Sequence, residues 1–189
     1  MAHTSSTDRA GTVVAVVGES SADALAAFEG LPGVATLSLR DSEPGLAARR
    51  IGAARSPWVV HDADPLVHVA SAWVELYEER ATLGTLEAEV DNALDSFQRG
   101  DAIMPDYYVV LDPDTADTTW RHWWCGALGH RAPRRVLPAQ APANPRDRAL
   151  RALLTALPTS RPWPDPTAWL PGLAFEVPDR VGLRDRGVA

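Results

Sequence analysis

The stretch that most constrains this chain is Thr12 to Phe28, in which the run Val13-Val14-Ala15-Val16-Val17 meets Gly18, a small polar turn and an alanine-rich segment carrying Leu25 and Phe28. A short β-branched run closed by glycine reads as a strand buried on both faces, and such strands belong to parallel sheets covered by helices. The turn is Gly18-Glu19-Ser20-Ser21-Ala22-Asp23. Ser20 or Ser21 as N-cap, with Asp23 in the first turn, is ordinary helix-start chemistry. Gly18 leaves room for a ligand to approach the backbone.

The rest of the chain repeats this alternation. Val34 to Leu39 reads as a second strand, followed by the turn Asp41-Ser42-Glu43-Pro44-Gly45 and a short helix through Ile51. Pro57 to Asp62 reads as a third buried strand. Two helices then follow, Leu66 to Arg80 with Val69, Trp73, Leu76 and Tyr77 at helical spacing, and Thr85 to Arg99 with Leu86, Val90, Leu94 and Phe97. In the second of these, Glu87, Glu89, Asp91 and Asp95 read as an exposed acidic face. Pro105 to Asp112 is the clearest strand and is expected at the centre of the sheet. A helix from Thr115 to Leu128, a basic loop, a short strand at Val136-Leu137 and a last helix from Pro145 to Leu157 complete the pattern. The fold expected is a three-layer α/β domain with a mainly parallel sheet of about five strands. Residues 1–11 read as a disordered lead, 12–157 as the domain, and 158–189 as an extension rich in proline and tryptophan. Trp163, Trp169, Leu170, Leu173 and Phe175 are expected to pack that extension on the domain or on a partner.

At 189 residues, 46% of them hydrophobic, the chain has enough apolar material for one full core. A formal net charge of -7 argues against a general nucleic-acid binder, which needs a cationic face to displace counterions. The single cysteine, Cys125, excludes an internal disulfide, and no apolar run approaches a membrane span, so a cytoplasmic protein is expected.

The order of elements over residues 12–157 resembles the deoxynucleoside and thymidylate kinase branch of the P-loop fold. The resemblance is carried by the strand, glycine turn and helix at Thr12 to Phe28, by Trp58-Val59-Val60-His61-Asp62, by the helix pair, and above all by Pro105-Asp106-Tyr107-Tyr108-Val109-Val110-Leu111-Asp112. It implies a nucleotide, with magnesium, at the carboxyl ends of the strands. Gly18, Ser20, Ser21 and His61 would line that pocket, with Asp62 as base, Asp62 and Asp64 as metal ligands, and Arg121, Arg131, Arg134 and Arg135 as phosphate clamps. The departures matter: a working phosphate loop has a lysine followed by a hydroxyl residue, and this turn has neither. His61-Asp62 also replaces the carboxylate-arginine pair of that family. The expectation is therefore a degenerate relative, a non-catalytic ligand-binding, regulatory or partner subunit, with a phosphotransferase acting on a nucleoside-like or small hydroxyl acceptor as the alternative. The chain also resembles the Toprim fold, through Val17-Gly18 and Asp62-Ala63-Asp64, which implies metal-dependent phosphoryl transfer. A scaffold or homodimer using the tryptophan-rich tail is the remaining reading.

Three groups have plain structural readings beside their functional ones. Asp64 before Pro65 suits a helix cap, and Asp62 a solvated turn. His122, Cys125 and His130 lack a fourth partner for zinc, and Cys125 reads as a small buried side chain. Trp120, Trp123 and Trp124 read as core or interface, or as a stacking platform for a base or sugar.

Overall fold

A computed structural model of the chain describes residues 11–142, 144, 148–159 and 163–175. Five strands, β1 (Thr12–Val17), β2 (Val34–Leu37), β3 (Trp58–His61), β4 (Tyr107–Leu111) and β5 (Val136–Ala139), form one sheet in the order β2-β3-β1-β4-β5. Every pairing is parallel, with Ala15 beside His61 and Val16 beside Val109. β1, β3 and β4 hold the middle because they carry the continuous apolar runs. Pro138, which cannot donate to a neighbour, sits in the edge strand β5.

The helices are α1 (Ser21–Phe28), α2 (Pro44–Ala53), α3 (Val67–Tyr77), α4 (Leu83–Arg99), α5 (Thr118–Arg121), α6 (Gly129–Arg131) and α7 (Arg148–Ala156), with a π-helical segment, His122–Leu128, between α5 and α6. They lie in two layers. β1 feeds β2 across β3, whereas the other crossovers step the opposite way, and a constant right-handed crossover therefore puts α1 on one face and α2, α3 and α4 on the other. Along β1, Val14 and Val16 pack with Phe28 and, from α7, Leu150 and Leu154. Ala15 and Val17 face the opposite layer, with Trp73, Leu86 and Trp123. The molecule is thus a three-layer α/β fold.

Residues beyond α7 complete the second layer. Trp163, Trp169, Leu170 and Leu173 are buried in the same cluster as Trp73 and Trp123. Trp163 meets Tyr108 edge-on at 5.7 Å, and Trp73 Nε1 donates to the Leu173 carbonyl at 3.3 Å. These tryptophans face this chain's own interior. The side chain of Phe175 and the lead at 1–10 lie outside the described residues.

Several boundaries differ from the sequence reading, each for a local reason. β2 stops at Leu37 because the amides of Leu39 and Arg40 turn away to the Asp62 carboxylate, at 2.5 and 3.0 Å. The helix expected from Thr115 starts at Thr118, where Asp117 accepts from the Thr119 amide, and it widens into the π form from His122. Asp106 accepts from the Val13 amide at 2.7 Å, which ties β4 to β1 before β4 begins.

Candidate functional site

In open parallel sheets, ligands bind beyond the carboxyl ends of the strands where neighbouring crossovers diverge. Here the chain leaves β1 toward β2 and leaves β4 toward β5, so the divergence falls at the β1/β4 crevice. A cleft of about 730 Å³ opens there, within the range of small-molecule sites. Its floor is Val17 and Gly18 from β1, His61 to Asp64 from β3, and Leu111 and Asp112 from β4. Ala47, Ala48 and Ile51 of α2 form one wall, and the face of α4 bearing Glu89, Asn92, Ala93 and Ser96 forms another. Trp120 and Trp124 close the remaining side with ring centroids 5.2 Å apart.

The turn after β1 is shut by the protein itself. Gly18 has φ +115°, and an added Cβ would stand 3.0 Å from the Leu111 carbonyl oxygen and 3.2 Å from Leu111 Cβ. The glycine is thus required by β4 packing and by a left-handed backbone, and it also lines the cleft. Arg40, from the loop after β2, donates to the Gly18 carbonyl at 2.7 Å and to the Ser21 hydroxyl. Ser21 is fully buried, and Ser20 holds the N-cap position of α1 without a side-chain cap bond.

Asp62 is buried, not a solvated turn residue. Its Oδ1 accepts from the Leu39 and Arg40 amides, and its Oδ2 from the Ser38 hydroxyl at 3.2 Å. It binds β2's end to β3's. Asp64 faces differently: its Oδ1 accepts from the Leu66 amide at 2.9 Å, ahead of α3, and from the Tyr108 hydroxyl at 2.9 Å. Oδ2 has no hydrogen-bond partner among the described residues. Burial pushes the Asp64 carboxyl above its ordinary value, with its two hydrogen bonds opposing. Burial and the adjacent carboxylate hold the Tyr108 phenol well above its own. Asp62 and Asp64 are therefore turned to separate partners, and among the described residues no three histidine, cysteine or carboxylate side chains stand close enough to hold a metal ion.

The expected arginine clamps do not meet at the cleft. Arg134 and Arg135 immediately precede β5, at the amino end of a parallel sheet, and with Arg131 they line a separate hollow beside Trp163 and Pro164. Arg121 pairs with Asp114 at 3.2 Å. His61 is buried at the cleft floor. Burial, with Arg121 opposing, pushes the Cys125 thiol up, which disfavours a nucleophilic thiolate.

Arg40 and Glu89 are among the cleft residues that sequence reasoning missed. Glu89 is half-buried, unlike Glu87, Asp91 and Asp95 on the same helix. A signal for it existed, since Glu89, Asn92, Ala93 and Ser96 recur at helical spacing beside the apolar stripe of Leu86, Val90, Leu94 and Phe97. Arg40 lies in a loop, and no local pattern marks it.

Asp112, at the end of β4, has φ 45°, a conformation uncommon for residues other than glycine. Its carbonyl accepts from Thr115, and its Oδ1 from the Ala141 amide at 2.9 Å. The fold and site define a three-layer α/β protein with a single-sheet, carboxyl-edge cleft. No protein-family model, curated protein or solved structure matches this chain.

Proposed function

We propose that this chain is a non-catalytic ligand-binding protein of degenerate nucleotide-kinase-like layout, a regulatory or partner subunit whose carboxyl-edge cleft takes a small molecule without transferring phosphate. The juxtaposition of β1 with β3 and β4, and the helix pair between β3 and β4, support the layout. The observation that carries the reading is the closed turn after β1. A triphosphate site needs backbone N–H groups and a free cation. Here a carbonyl, that of Gly18, is turned to the one guanidinium among the described residues lining the cleft, and Glu19 stands beside it.

Calorimetry and thermal unfolding with ATP and magnesium test this, because a ligand that binds only the folded state raises its stability. No rise in stability and no release of γ-phosphate are expected. A rise accompanied by phosphate transfer to a hydroxyl acceptor overturns the reading.

One observation favours the phosphotransferase alternative: Arg40 stands beside the turn that lacks a lysine. It would have to release Gly18 and Ser21 to reach a phosphate. If it does so, Arg40→Ala abolishes any ATP response.

A further inference from the structure

We propose that the ligand of this cleft is an organic cation, an amine or guanidine on a flat apolar body, with Asp64 and Glu89 meeting the charge and the Trp120–Trp124 pair covering the body. This rests on the binding reading above and names its ligand class.

Charge decides the sign. Among the described residues seven carboxylates line the cleft, those of Glu19, Asp62, Asp64, Glu89, Asp101, Asp112 and Asp117, against one guanidinium, that of Arg40, and the imidazoles of His61 and His68. Four of the seven are already committed. Asp62 holds the end of β2, Asp101 pairs with Arg99 at 3.0 Å, Asp112 accepts from Ala141, and Asp117 caps α5. Arg40 is committed too, to Gly18 and Ser21. What remains is Glu19, Glu89 and Asp64 Oδ2, with no ion pair or hydrogen bond among the described residues. Glu89 and Asp64 are half-buried, where an uncompensated carboxylate is costly and an incoming cation relieves that cost.

Size and wall chemistry decide the class. A cleft of about 730 Å³, with no three-ligand cluster among the described residues, suits a molecule rather than a bare metal ion. Tryptophan faces attract cations and cover flat apolar bodies, and both Trp120 and Trp124 are half-buried with rings tilted 36° to one another. In the same lining, Ala47, Ala48 and Ile51 supply an apolar wall.

The test uses three indoles of nearly equal shape and different charge: tryptamine, the neutral alcohol tryptophol, and indole-3-propionate. Isothermal calorimetry on the full chain is expected to give tryptamine at least ~10-fold tighter binding than tryptophol, the scale of one charge-assisted hydrogen bond. Indole-3-propionate is expected not to bind. Asp64→Asn and Glu89→Gln should each reduce the preference for tryptamine over tryptophol. Trp124→Ala should weaken both ligands, and Glu87→Gln, an exposed change on the same helix, should alter neither. Asp64→Asn retains an acceptor for Tyr108, so folding is preserved, and unfolding curves verify this for each variant. Equal or tighter binding of tryptophol or indole-3-propionate, no binding of tryptamine, or an undiminished preference in both carboxamide variants overturns the assignment. A chain that takes tryptophol but not tryptamine still binds a small molecule in its cleft, whereas turnover of ATP defeats the reading beneath.

Discussion

The phenol of Tyr108 donates to Asp64 Oδ1 across 2.9 Å, which joins the middle of β4 to the loop after β3 and fixes one carboxylate oxygen, while the other has no hydrogen-bond partner among the described residues. Because burial raises the Asp64 carboxyl above its ordinary value of 3.8, the folded state holds that proton more tightly than the unfolded chain. The associated stability is fully present below 3.8 and is lost as pH rises through the folded value. Asp64→Asn removes this loss and keeps an acceptor for Tyr108. The variant should be more stable than the parent at neutral pH, with the difference shrinking on acidification, as measured by urea unfolding across the acid range. A variant that gains stability while losing affinity for tryptamine is the pattern of a binding group, which a purely structural residue does not give.

Gly18→Ala should destabilise the protein by about 2–3 kcal/mol, since it combines a left-handed backbone with a contact against Leu111. Gly100 provides the comparison. It has φ +75° with nothing within 4 Å of an added Cβ, so Gly100→Ala should cost about 1 kcal/mol. Equal losses in denaturant unfolding would show that Leu111 does not confine the turn.

Arg40→Ala removes the donor to Gly18 and to the buried Ser21 hydroxyl, and should cost ~1 kcal/mol. Thermal unfolding reads this. The same variant should leave the response to ATP at zero.

Asp62→Ala should cost on the order of 3 kcal/mol, because the Leu39 and Arg40 amides and the Ser38 hydroxyl lose a shared charged acceptor. Circular dichroism melts of the variant, with and without tryptamine, should show that loss. The variant is therefore a poor probe of chemistry, since lost activity would follow from a loosened β2 end.

Trp169→Ala should cost ~3–5 kcal/mol, as expected for a large aromatic removed from a packed cluster. Chemical denaturation monitored by the remaining tryptophans measures it. A loss below ~1 kcal/mol would mean that residues 163–175 are not part of the core.

Much of this fold is legible in the sequence for a physical reason. β1, β3 and β4 are buried on both faces, so apart from Thr12 and His61 at their ends their residues are apolar, and they are bounded by glycine, proline and aspartate. α3 and α4 are legible from their apolar spacing. The site is less so, because its geometry is made by contacts across the sheet. Asp62 is read as solvated until β2 folds back on it, with partners more than twenty positions upstream. The clustered arginines look like one binding group, but the parallel direction of β5 carries Arg134 and Arg135 to the far end of the sheet. In the tail, six prolines signal the absence of a long helix, yet short 3₁₀ turns at Pro166–Ala168 and Leu170–Phe175 are enough to deliver its tryptophans inward.

The bond from Trp73 to the Leu173 carbonyl spans one hundred positions, so the layer over β1 and β4 is assembled from both halves of the polypeptide. α3 thus depends for its outer packing on a segment about one hundred positions downstream of Trp73. Completion of the sheet therefore does not by itself close the core, because Trp73 and Trp123 gain their full cover only when Trp163, Trp169 and Leu173 join the same buried cluster.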